Sequence, residues 1–384
     1  MFFTDEHQLF RETVRGLVAR EIEPHIDDWE ERGTYPAHEL FPKLSQVGLL
    51  GLEYDPEYGG EGADHWYTVI ACEEFGRLSC NGVPMGYNVQ ANMATPSLNA
   101  HGSPELKKRF LAPAIRGEQV CSIAVTEPDA GSDVAGLRTR AVRDGDEWVI
   151  TGAKTYITNG IQADWLCVLT RTSDEGGYRG MSQIIVPTGT AGVTVSRSLR
   201  KLGNRCSDTA EFTFTEARVP VENTIGEIGR GFQQQMEQFQ IERLSAVYQA
   251  IGQMQTAIER TVDYLKQRPA FGRPLMDNQY LEYTLTELAA EVDALRQYSY
   301  SCAELIVAGH DVTRRASSAK LLAGRLIRRV ADVCLQYHGG LGYMAETWTS
   351  RFFRDSRLLS IGGGADEVML RVLSRDLVAG TFFN

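Results

Sequence analysis

The sequence lacks several features that would assign it to other classes of protein. It has no apolar run near the roughly 20 residues that a membrane-spanning helix requires, so no membrane partner is expected. The seven cysteines are scattered, odd in number and never spaced as CxxC, which disfavours a zinc site or a disulfide framework. No GxGxxG motif follows a predicted strand, so a Rossmann nucleotide site has no support. The net charge of −11 argues against a nucleic-acid partner.

The two ends carry no recognisable targeting signal. The first residues, Met1-Phe2-Phe3-Thr4, lack the basic region and apolar core of a secretory signal. The last residues, 381–384, match no lipidation or peroxisomal signal. Scattered cysteines are typically reduced thiols in cytosolic proteins, and a cytoplasmic location is therefore expected.

What the sequence does contain is three successive regions of different periodicity. Its 384 residues exceed what one hydrophobic core usually supports, so two or three domains are expected. Residues 1–118 show helical spacing, residues 119–225 hold short β-branched and aromatic runs, and residues 226–384 return to helical spacing. The last region contains four long helical segments, at about 231–267, 278–309, 313–338 and 363–380. This order predicts an α+β fold whose β region forms its own domain.

Two stretches in the β region suit a flat, polar ligand. Residues 125–133 read VTEPDAGSD, a glycine-containing loop whose hydroxyls and backbone N–H groups can hold a ring edge or a phosphate. Residues 154–160 read KTYITNG, and strand alternation predicts Tyr156 and Thr158 on one face. There a ring can stack on a ligand while a hydroxyl donates to it. Taken singly, the alternatives are a capped turn and an ordinary edge strand.

Two further stretches lie in the last region. Residues 268–272 read RPAFG and are followed by Gln279, and an arginine at this place can pair with phosphate. Residues 336–343 read QYHGGLGY, where paired glycines allow a ligand to approach the backbone closely. The alternative for Gly339-Gly340 is a helix C-cap.

In this order the four stretches resemble the acyl-CoA dehydrogenase family, whose pattern includes a TEPxAGSD loop, a WITNG-like strand, RxxFG and QxxGGxGY. The resemblance spans essentially the whole chain, and within the family it is similar to bacterial citronellyl-CoA dehydrogenase-like members. It implies an N-terminal helical domain (1–118), a central β domain (119–225) and a C-terminal four-helix bundle (226–384), with FAD between the last two. Shared FAD sites imply a homo-oligomer, usually a tetramer.

The resemblance also implies roles for single residues around FAD. Tyr156 takes the place of the usual Trp against the flavin ring, which keeps the stacking but loses the indole N–H, and Thr158 donates toward flavin N5. Other residues implied on the cofactor side are Val125, Thr126, Gly131, Ser132, Ala365 and Glu367. Those implied toward the FAD of a neighbouring subunit are Arg268, Phe271, Gln279, Gln336 and Gly340.

The implied catalytic base is displaced from its usual position. Most of the family reads YEGTSEI where residues 362–368 read GGGADEV, so the usual proton-abstracting Glu falls on Gly363. Isovaleryl- and long-chain acyl-CoA dehydrogenases also lack that Glu and carry the base on the helix that reads ERL here. The resemblance therefore implies Glu242 as the base, although Glu242 alone would be an ordinary helix-surface residue opposite the apolar stripe. Asp366 and Glu367 are expected to be structural or to face the cofactor.

The implied reaction is FAD-dependent α,β-dehydrogenation of an acyl-CoA, with electrons passed to an electron-transfer flavoprotein. Glu242 removes the α-proton, the β-hydride goes to the flavin, and the Gly363 N–H with a flavin hydroxyl binds the thioester oxygen. The volume freed by the two glycines favours a long or methyl-branched acyl group. Arg243 orders CoA or the helix, or alternatively makes only a surface ion pair. Substrate contacts are implied for Ser132, Arg243, Gly362 and Gly363.

Three rival interpretations stay open at this point. The same fold supports oxygen-using acyl-CoA oxidases and flavin monooxygenases, although the chain lacks the extra C-terminal domain of many oxidases. A dehydrogenase for acyl groups on a carrier protein is a second alternative. The third is a non-catalytic FAD-binding assembly protein, because Gly363 has no side chain.

Overall fold

The computed structural model describes residues 2–383, and its N-terminal region is built from helices. Local signals explain several helix ends: Thr4 and His7 form a capping box, and Ser103 caps a helix that starts with Pro104. Two π-helical segments, Val89–Ala94 and Lys107–Leu111, interrupt the series. The α-helices are α1 (Asp5–Glu21), α2 (Ile26–Arg32), α3 (Ala37–Ser45), α4 (His65–Gly76), α5 (Gly82–Asn88), α6 (Pro96–His101), α7 (Pro104–Leu106) and α8 (Ala112–Ile115).

The middle region forms one mixed sheet. Its strands are β1 (Cys121–Ala124), β2 (Arg140–Asp144), β3 (Glu147–Thr158), β4 (Trp165–Arg171), β5 (Met181–Pro187), β6 (Val193–Ser198), β7 (Thr209–Pro220) and β8 (Thr224–Ile225). The order is β6-β7-β3-β2-β4-β5-β8, and β1 pairs with β4 in parallel. The dipeptide Asp144-Gly145 is a sequence signal that predicts a hairpin, and the structure confirms it, because β2 and β3 pair antiparallel and Gly145 has a φ of 60°.

The C-terminal region is helical again. It consists of α9 (Gly231–Gln267), a small hairpin of β9 (Pro269–Ala270) and β10 (Arg273–Pro274), α10 (Gln279–Val307), α11 (Thr313–Tyr337), α12 (Gly339–Gly342), α13 (Trp348–Ser356) and α14 (Asp366–Val378). Helices α9, α10 and α11 pack against one another, and α11 also packs against α13 and α14. A 3₁₀ turn, Arg357–Ser360, and the loop of residues 361–365 join α13 to α14.

Helix α9 is buried on two sides, which decides where the site lies. Its apolar stripe of Leu244, Val247, Ile251, Met254 and Ile258 enters the core of the C-terminal helices. On another side α9 packs against α4, where Gly76 and Gly252 bring the backbones together. A Cβ at either glycine would collide with backbone atoms of the other helix. The face opposite the stripe is therefore covered rather than solvated.

The α+β architecture and the four long C-terminal helices are confirmed, and α9 has the predicted bounds. Two details differ. Helix α13 is not predicted, because nine residues with only a few apolar side chains give a weak periodic signal. Helix α14 starts at Asp366 rather than near 363, because Gly363 and Gly364 have φ of 63° and 100°. All seven cysteines are buried free thiols.

Candidate active site

Glu242 is buried where α9 faces α11 and the loop of residues 361–365. The residue is 7% exposed, so its interpretation as a solvated surface Glu is wrong. Within residues 2–383, its Oε2 atom is buried without a hydrogen-bond partner. Burial raises the pKa of Glu242 to about 7, although Arg243 and Lys320 act to lower it. A carboxyl group with this pKa can take up a proton near neutral pH.

Gly363 lies directly beside the Glu242 carboxylate. Its φ of 63° is in the left-handed region, which favours glycine. A Cβ at this position would lie 3.3 Å from Glu242 Oε1. A side chain at 363 and the carboxylate of Glu242 would thus compete for the same space. The sequence pairs a missing acid at 363 with an acid at 242, and the fold brings the two positions together.

Arg243 belongs to the same buried cluster. Its Nη1 donates to Ser317 Oγ at 3.3 Å, and its guanidinium lies 5.7 Å from the ring centroid of Phe239. Burial lowers the pKa of Arg243, and Glu242 opposes this. Because the Arg243 side chain is buried and pairs with no surface carboxylate among residues 2–383, the alternative of a surface ion pair is wrong. The positive charge is available to order α9 or to meet an anionic group.

The residues after the three glycines begin α14. Asp366 is buried and accepts a hydrogen bond from Arg328 Nη2 at 3.1 Å, which agrees with the structural role expected for it. Glu367 is exposed beside it. The carbonyl of Ala365 accepts from the Met369 N–H at 3.0 Å in the first turn of the helix. Neither Asp366 nor Glu367 takes the place of the missing acid at 363.

A second buried cluster ties the loop of residues 125–133 to β3. Lys154 Nζ donates to Glu127 Oε1 at 2.9 Å and to the Val125 carbonyl at 2.8 Å. The backbone N–H groups of residues 138 and 139 donate to the two oxygens of Glu127, at 2.6 and 2.9 Å. Burial acts to raise the pKa of Glu127, but the Lys154 charge and these bonds hold it below its ordinary value. The pair is fully partnered and fixes the loop.

The start of α9 connects the two clusters. Phe232 packs with Val125 and Val134 against a small apolar core of Ala130, Leu137, Leu169 and Met181. Glu242 follows Phe232 by ten residues on the same helix, which is about 15 Å along its axis. The loop of residues 125–133 thus packs against the start of α9, and Glu242 lies further along the same rigid helix, which fixes the distance between them.

Comparison with known proteins covers nearly the whole chain. Family models for the N-terminal, middle and C-terminal domains of acyl-CoA dehydrogenases match residues 4–118, 122–217 and 229–378. The chain belongs to the acyl-CoA dehydrogenase family. It is 35% identical to the mitochondrial long-chain specific acyl-CoA dehydrogenase of Sus scrofa, over 98% of this chain and 87% of that one.

Two further comparisons agree with this family. The chain is 33% identical to the mitochondrial isovaleryl-CoA dehydrogenase of Solanum tuberosum, over 98% of this chain and 92% of that one. The crystal structure of an acyl-CoA dehydrogenase from Geobacillus kaustophilus has a TM-score of 0.94 at 36% identity, over 98% of each chain.

Family membership makes the chain an oxidoreductase. Members of the family are FAD-dependent, act on acyl-CoA and work with electron-transfer flavoproteins. Within residues 2–383, no helix is long and apolar enough to cross a bilayer. The same residues contain no group of three or more His, Cys, Asp or Glu side chains able to hold a metal ion.

The residues on the β-domain side of this dehydrogenase suit FAD. Tyr156 is 70% exposed and has a φ of 62°, where the pairing of β3 with β7 is irregular. A ring held in the open by a bulge can stack on an isoalloxazine. Thr126 is adjacent, because its carbonyl accepts from the Thr155 N–H at 2.9 Å. A Cβ at Gly131 would meet nothing nearer than Thr126 Cγ2 at 3.9 Å, so the loop offers its backbone without obstruction.

Strand β3 is irregular at Tyr156, so strand alternation does not place Tyr156 and Thr158 on one face as predicted. The register between Lys154 and Ile157 contains an extra residue, so strict alternation does not hold there. Thr158 is half-buried while Tyr156 is exposed. Their roles stay predictions that now rest on exposure and not on the period of a regular strand.

The residues implied for a neighbouring subunit's cofactor are all exposed: Arg268, Phe271, Gln279, Gln336 and Gly340. Phe271 is fully exposed with a φ of 53°, between β9 and β10. In the described part of the chain, no side-chain hydrogen bond or ion pair joins these five residues to Glu242 or to residues 125–133. They do not belong to either cluster of the single chain.

Three buried charged residues of the two clusters are not predicted as site residues from the sequence: Glu127, Lys154 and Lys320. Glu127 and Lys154 stand inside the two recognised motifs, and their opposite charges are a signal for a pair. Lys320 gives no such signal, because a lone lysine in a helix is usually solvated. Lys320 is buried where α11 meets the loop of residues 361–365, and this contact can be seen only in the tertiary structure.

Proposed function

We propose that this chain catalyses the FAD-dependent α,β-dehydrogenation of an acyl-CoA thioester to the trans-2-enoyl-CoA, with Glu242 as the base. The observation that carries the proposal is a buried carboxylate beside Gly363 whose Oε2 atom has no hydrogen-bond partner within residues 2–383. Its pKa of about 7 matches a group that accepts a proton at neutral pH. An assembly protein without catalysis would have no use for this arrangement.

The chain's own residues account for proton removal and charge stabilisation. Glu242 takes the proton from the carbon next to the thioester carbonyl, and the thioester oxygen gains negative charge as that proton leaves. The backbone N–H of Gly363 donates to that oxygen, and one such preorganised donor is worth about 3–4 kcal/mol in the transition state. FAD, when bound, supplies the acceptor for the hydride that leaves the β-carbon. An electron-transfer flavoprotein is the proposed partner that would take up the electrons.

Other residues bind and orient the ligands. We assign Ser132, Arg243, Gly362 and Gly363 to the acyl-CoA. On the flavin side, Tyr156 stacks on the ring and Thr158 donates to it, with Val125, Thr126, Gly131, Ser132, Ala365 and Glu367 around them. The exposed set of Arg268, Phe271, Gln279, Gln336 and Gly340 reaches the FAD of a neighbouring copy, which makes the enzyme a homo-oligomer, proposed as a tetramer. The full exposure of Phe271 supports this assignment. The cytoplasmic location and the three domain boundaries stay predictions.

A long or methyl-branched acyl group is proposed as the substrate. The two glycines do not contribute equally to this argument, because the carboxylate of Glu242 already takes the space beside Gly363. Gly362 is the less crowded of the two, because the atoms nearest to a Cβ there would belong to Leu358, at 3.4 to 3.8 Å, which is ordinary contact distance. The similarity to a long-chain enzyme and to an isovaleryl enzyme is in line with such a group.

The test is anaerobic reduction of the purified holoenzyme with a panel of acyl-CoAs. Short straight, long straight, isovaleryl and citronellyl-like thioesters are mixed with enzyme, and bleaching of the flavin absorbance is followed. We expect fast bleaching by the long or branched compounds. Preference for short straight chains would contradict the substrate class alone. No bleaching by any of them, in protein that holds FAD, would contradict the proposed reaction and favour a carrier-bound substrate or an oxygen-using enzyme.

A further inference from the structure

Lys320 is a buried lysine that the proposed reaction does not yet use. It lies in α11, is 1% exposed, and its Nζ donates to the carbonyl of Gly364. Burial lowers the pKa of Lys320 to about 8, although Asp366 acts to raise it. A buried ammonium group destabilises a fold unless its partners are well placed.

The carbonyl that Lys320 binds belongs to the loop beside Glu242. Gly363 and Gly364 have φ of 63° and 100°, so two successive residues are left-handed. Within residues 2–383, Lys320 donates the only side-chain hydrogen bond that reaches residues 361–365. The orientation of the peptide groups at Gly363 and Gly364 depends on this bond, because two glycines in a row have little conformational preference of their own.

Two charged groups act on Glu242: Arg243, which lies on α9 with it, and Lys320 on α11. Asp366 of α14 acts in turn on Lys320, and it is paired with Arg328 of α11 at 3.1 Å. Burial is the largest effect on Glu242, and both Arg243 and Lys320 oppose it by favouring the charged carboxylate. Lys320 thus acts on the base through its charge and on the loop through its hydrogen bond.

We propose that Lys320 is a positioning residue for proton abstraction. Its ammonium group holds the Gly364 carbonyl, sets the Gly363 backbone beside the Glu242 carboxylate, and stabilises that carboxylate electrostatically. The proposal rests on the assignment of Glu242 as the base. It predicts that the loss of Lys320 changes both the rate of proton removal and the pH at which Glu242 ionises.

The first test compares Lys320→Met with wild type in anaerobic reduction of the holoenzyme across pH. Near neutral pH we expect the reduction rate to fall at least tenfold, because a misplaced loop and a protonated base both slow the step. In a plot of the reduction rate against pH, the acid limb should move to higher pH. Lys266→Met, at the exposed end of α9, is the matched control and should behave as wild type. A Lys320→Met rate within twofold of wild type with an unmoved acid limb would overturn the proposal.

Lys320→Gln separates the two parts of the role. A glutamine amide can still donate to the Gly364 carbonyl but carries no charge. We expect the acid limb to move as in Lys320→Met, with a smaller loss of rate at high pH. This variant also serves where Lys320→Met does not fold. If its acid limb coincides with that of wild type, Lys320 has no electrostatic effect on Glu242 and the proposal fails.

A second measurement needs no substrate and so separates this inference from the proposed function. The change in melting temperature caused by Glu242→Gln is measured at about pH 8, once in wild type and once in the Lys320→Gln background. Since Lys320 favours the charged carboxylate, the stabilisation by Glu242→Gln should be larger where Lys320 is replaced. Equal stabilisation in both backgrounds would overturn the proposal. Failure of every acyl-CoA to reduce wild type would instead contradict the reaction and leave this coupling to be judged by itself.

Discussion

Two glutamates of this chain have almost the same solvent exposure, but their pKa values are shifted in opposite directions. Glu127 is 6% exposed and Glu242 is 7% exposed. Both oxygens of Glu127 accept hydrogen bonds, one of them from Lys154, and its pKa is held below the ordinary value despite burial. Glu242 has a buried oxygen without a partner in the described residues, and burial raises its pKa to about 7.

The difference shows that burial alone does not identify a reactive acid. A carboxylate saturated by donors stays charged and holds structure together, whereas one that is desolvated and lacks a donor at a buried oxygen can exchange a proton near neutral pH. Glu127 lies in the loop of residues 125–133, which has a distinctive sequence, and Glu242 lies in a helix with an ordinary amphipathic pattern. The distinctive stretch thus contains the structural glutamate, and the ordinary stretch contains the proposed catalytic glutamate.

The largest expected effect is on catalysis by Glu242→Gln. The substitution keeps size and polarity but removes the base, so the rate of flavin reduction by acyl-CoA should fall by about 10²–10⁴-fold. Rapid-mixing anaerobic spectroscopy measures this rate, and FAD content should be unchanged. Glu237→Gln, an exposed position on the same helix, is the matched control. Reduction by Glu242→Gln within threefold of wild type would remove Glu242 from the mechanism.

The next largest expected effect is the loss of stability caused by Glu127→Gln. Glu127→Gln leaves the Lys154 charge buried without its counter-charge, and such a loss typically costs about 3–5 kcal/mol. Thermal unfolding should show a strongly destabilised protein. The double variant Glu127→Gln/Lys154→Met should recover much of the loss, because no buried charge remains. If Glu127→Gln unfolds at the wild-type temperature, the pair is not what fixes the loop.

The two glutamates should also respond to pH with opposite sign. The folded pKa of Glu242, about 7, exceeds its ordinary 4.5, so the folded chain binds the extra proton between these values and stability from this group falls as pH rises. Glu242→Gln should therefore stabilise the substrate-free enzyme at about pH 8, by up to about 3 kcal/mol, and much less near pH 4.5.

For Glu127 the folded pKa is lowered, so its stabilisation is present above the ordinary value and is lost as pH falls through the folded one. Melting temperatures of both single variants across pH measure these trends. Destabilisation by Glu242→Gln at about pH 8 would contradict the raised pKa on which the comparison depends.

The smallest effects concern the glycines beside Glu242. Gly363→Ala places a methyl group 3.3 Å from Glu242 Oε1 in a left-handed conformation. We expect a loss of about 1–2 kcal/mol in stability and a lower reduction rate. Gly362→Ala, where the nearest atom is a Leu358 methyl at 3.4 Å, is the control for stability and should unfold like wild type. Equal unfolding of the two variants would show that Glu242 does not need the space at 363.

Periodicity and turn signals are enough to predict much of the fold. They predict the three regions, the hairpin at Asp144-Gly145 and the length of α9, because each depends on local sequence. The burial of Glu242 is not predictable in this way. It results from the packing of α4, α11 and the loop of residues 361–365 around α9, and these contacts join residues far apart in the chain. The same applies to Lys320, whose partner is a backbone carbonyl 44 residues away.

The most direct test of Glu242 isolates proton removal from electron transfer. A 3-thia-acyl-CoA has no hydride to give from position 3, but its α-protons still exchange with solvent when a base acts on them. Incubation of the holoenzyme with this analogue in D₂O, followed by mass spectrometry, measures that exchange alone. We expect rapid deuterium incorporation by wild type and by Glu237→Gln, and at least a hundredfold slower incorporation by Glu242→Gln. Equal incorporation by Glu242→Gln and wild type would show that another group removes the α-proton.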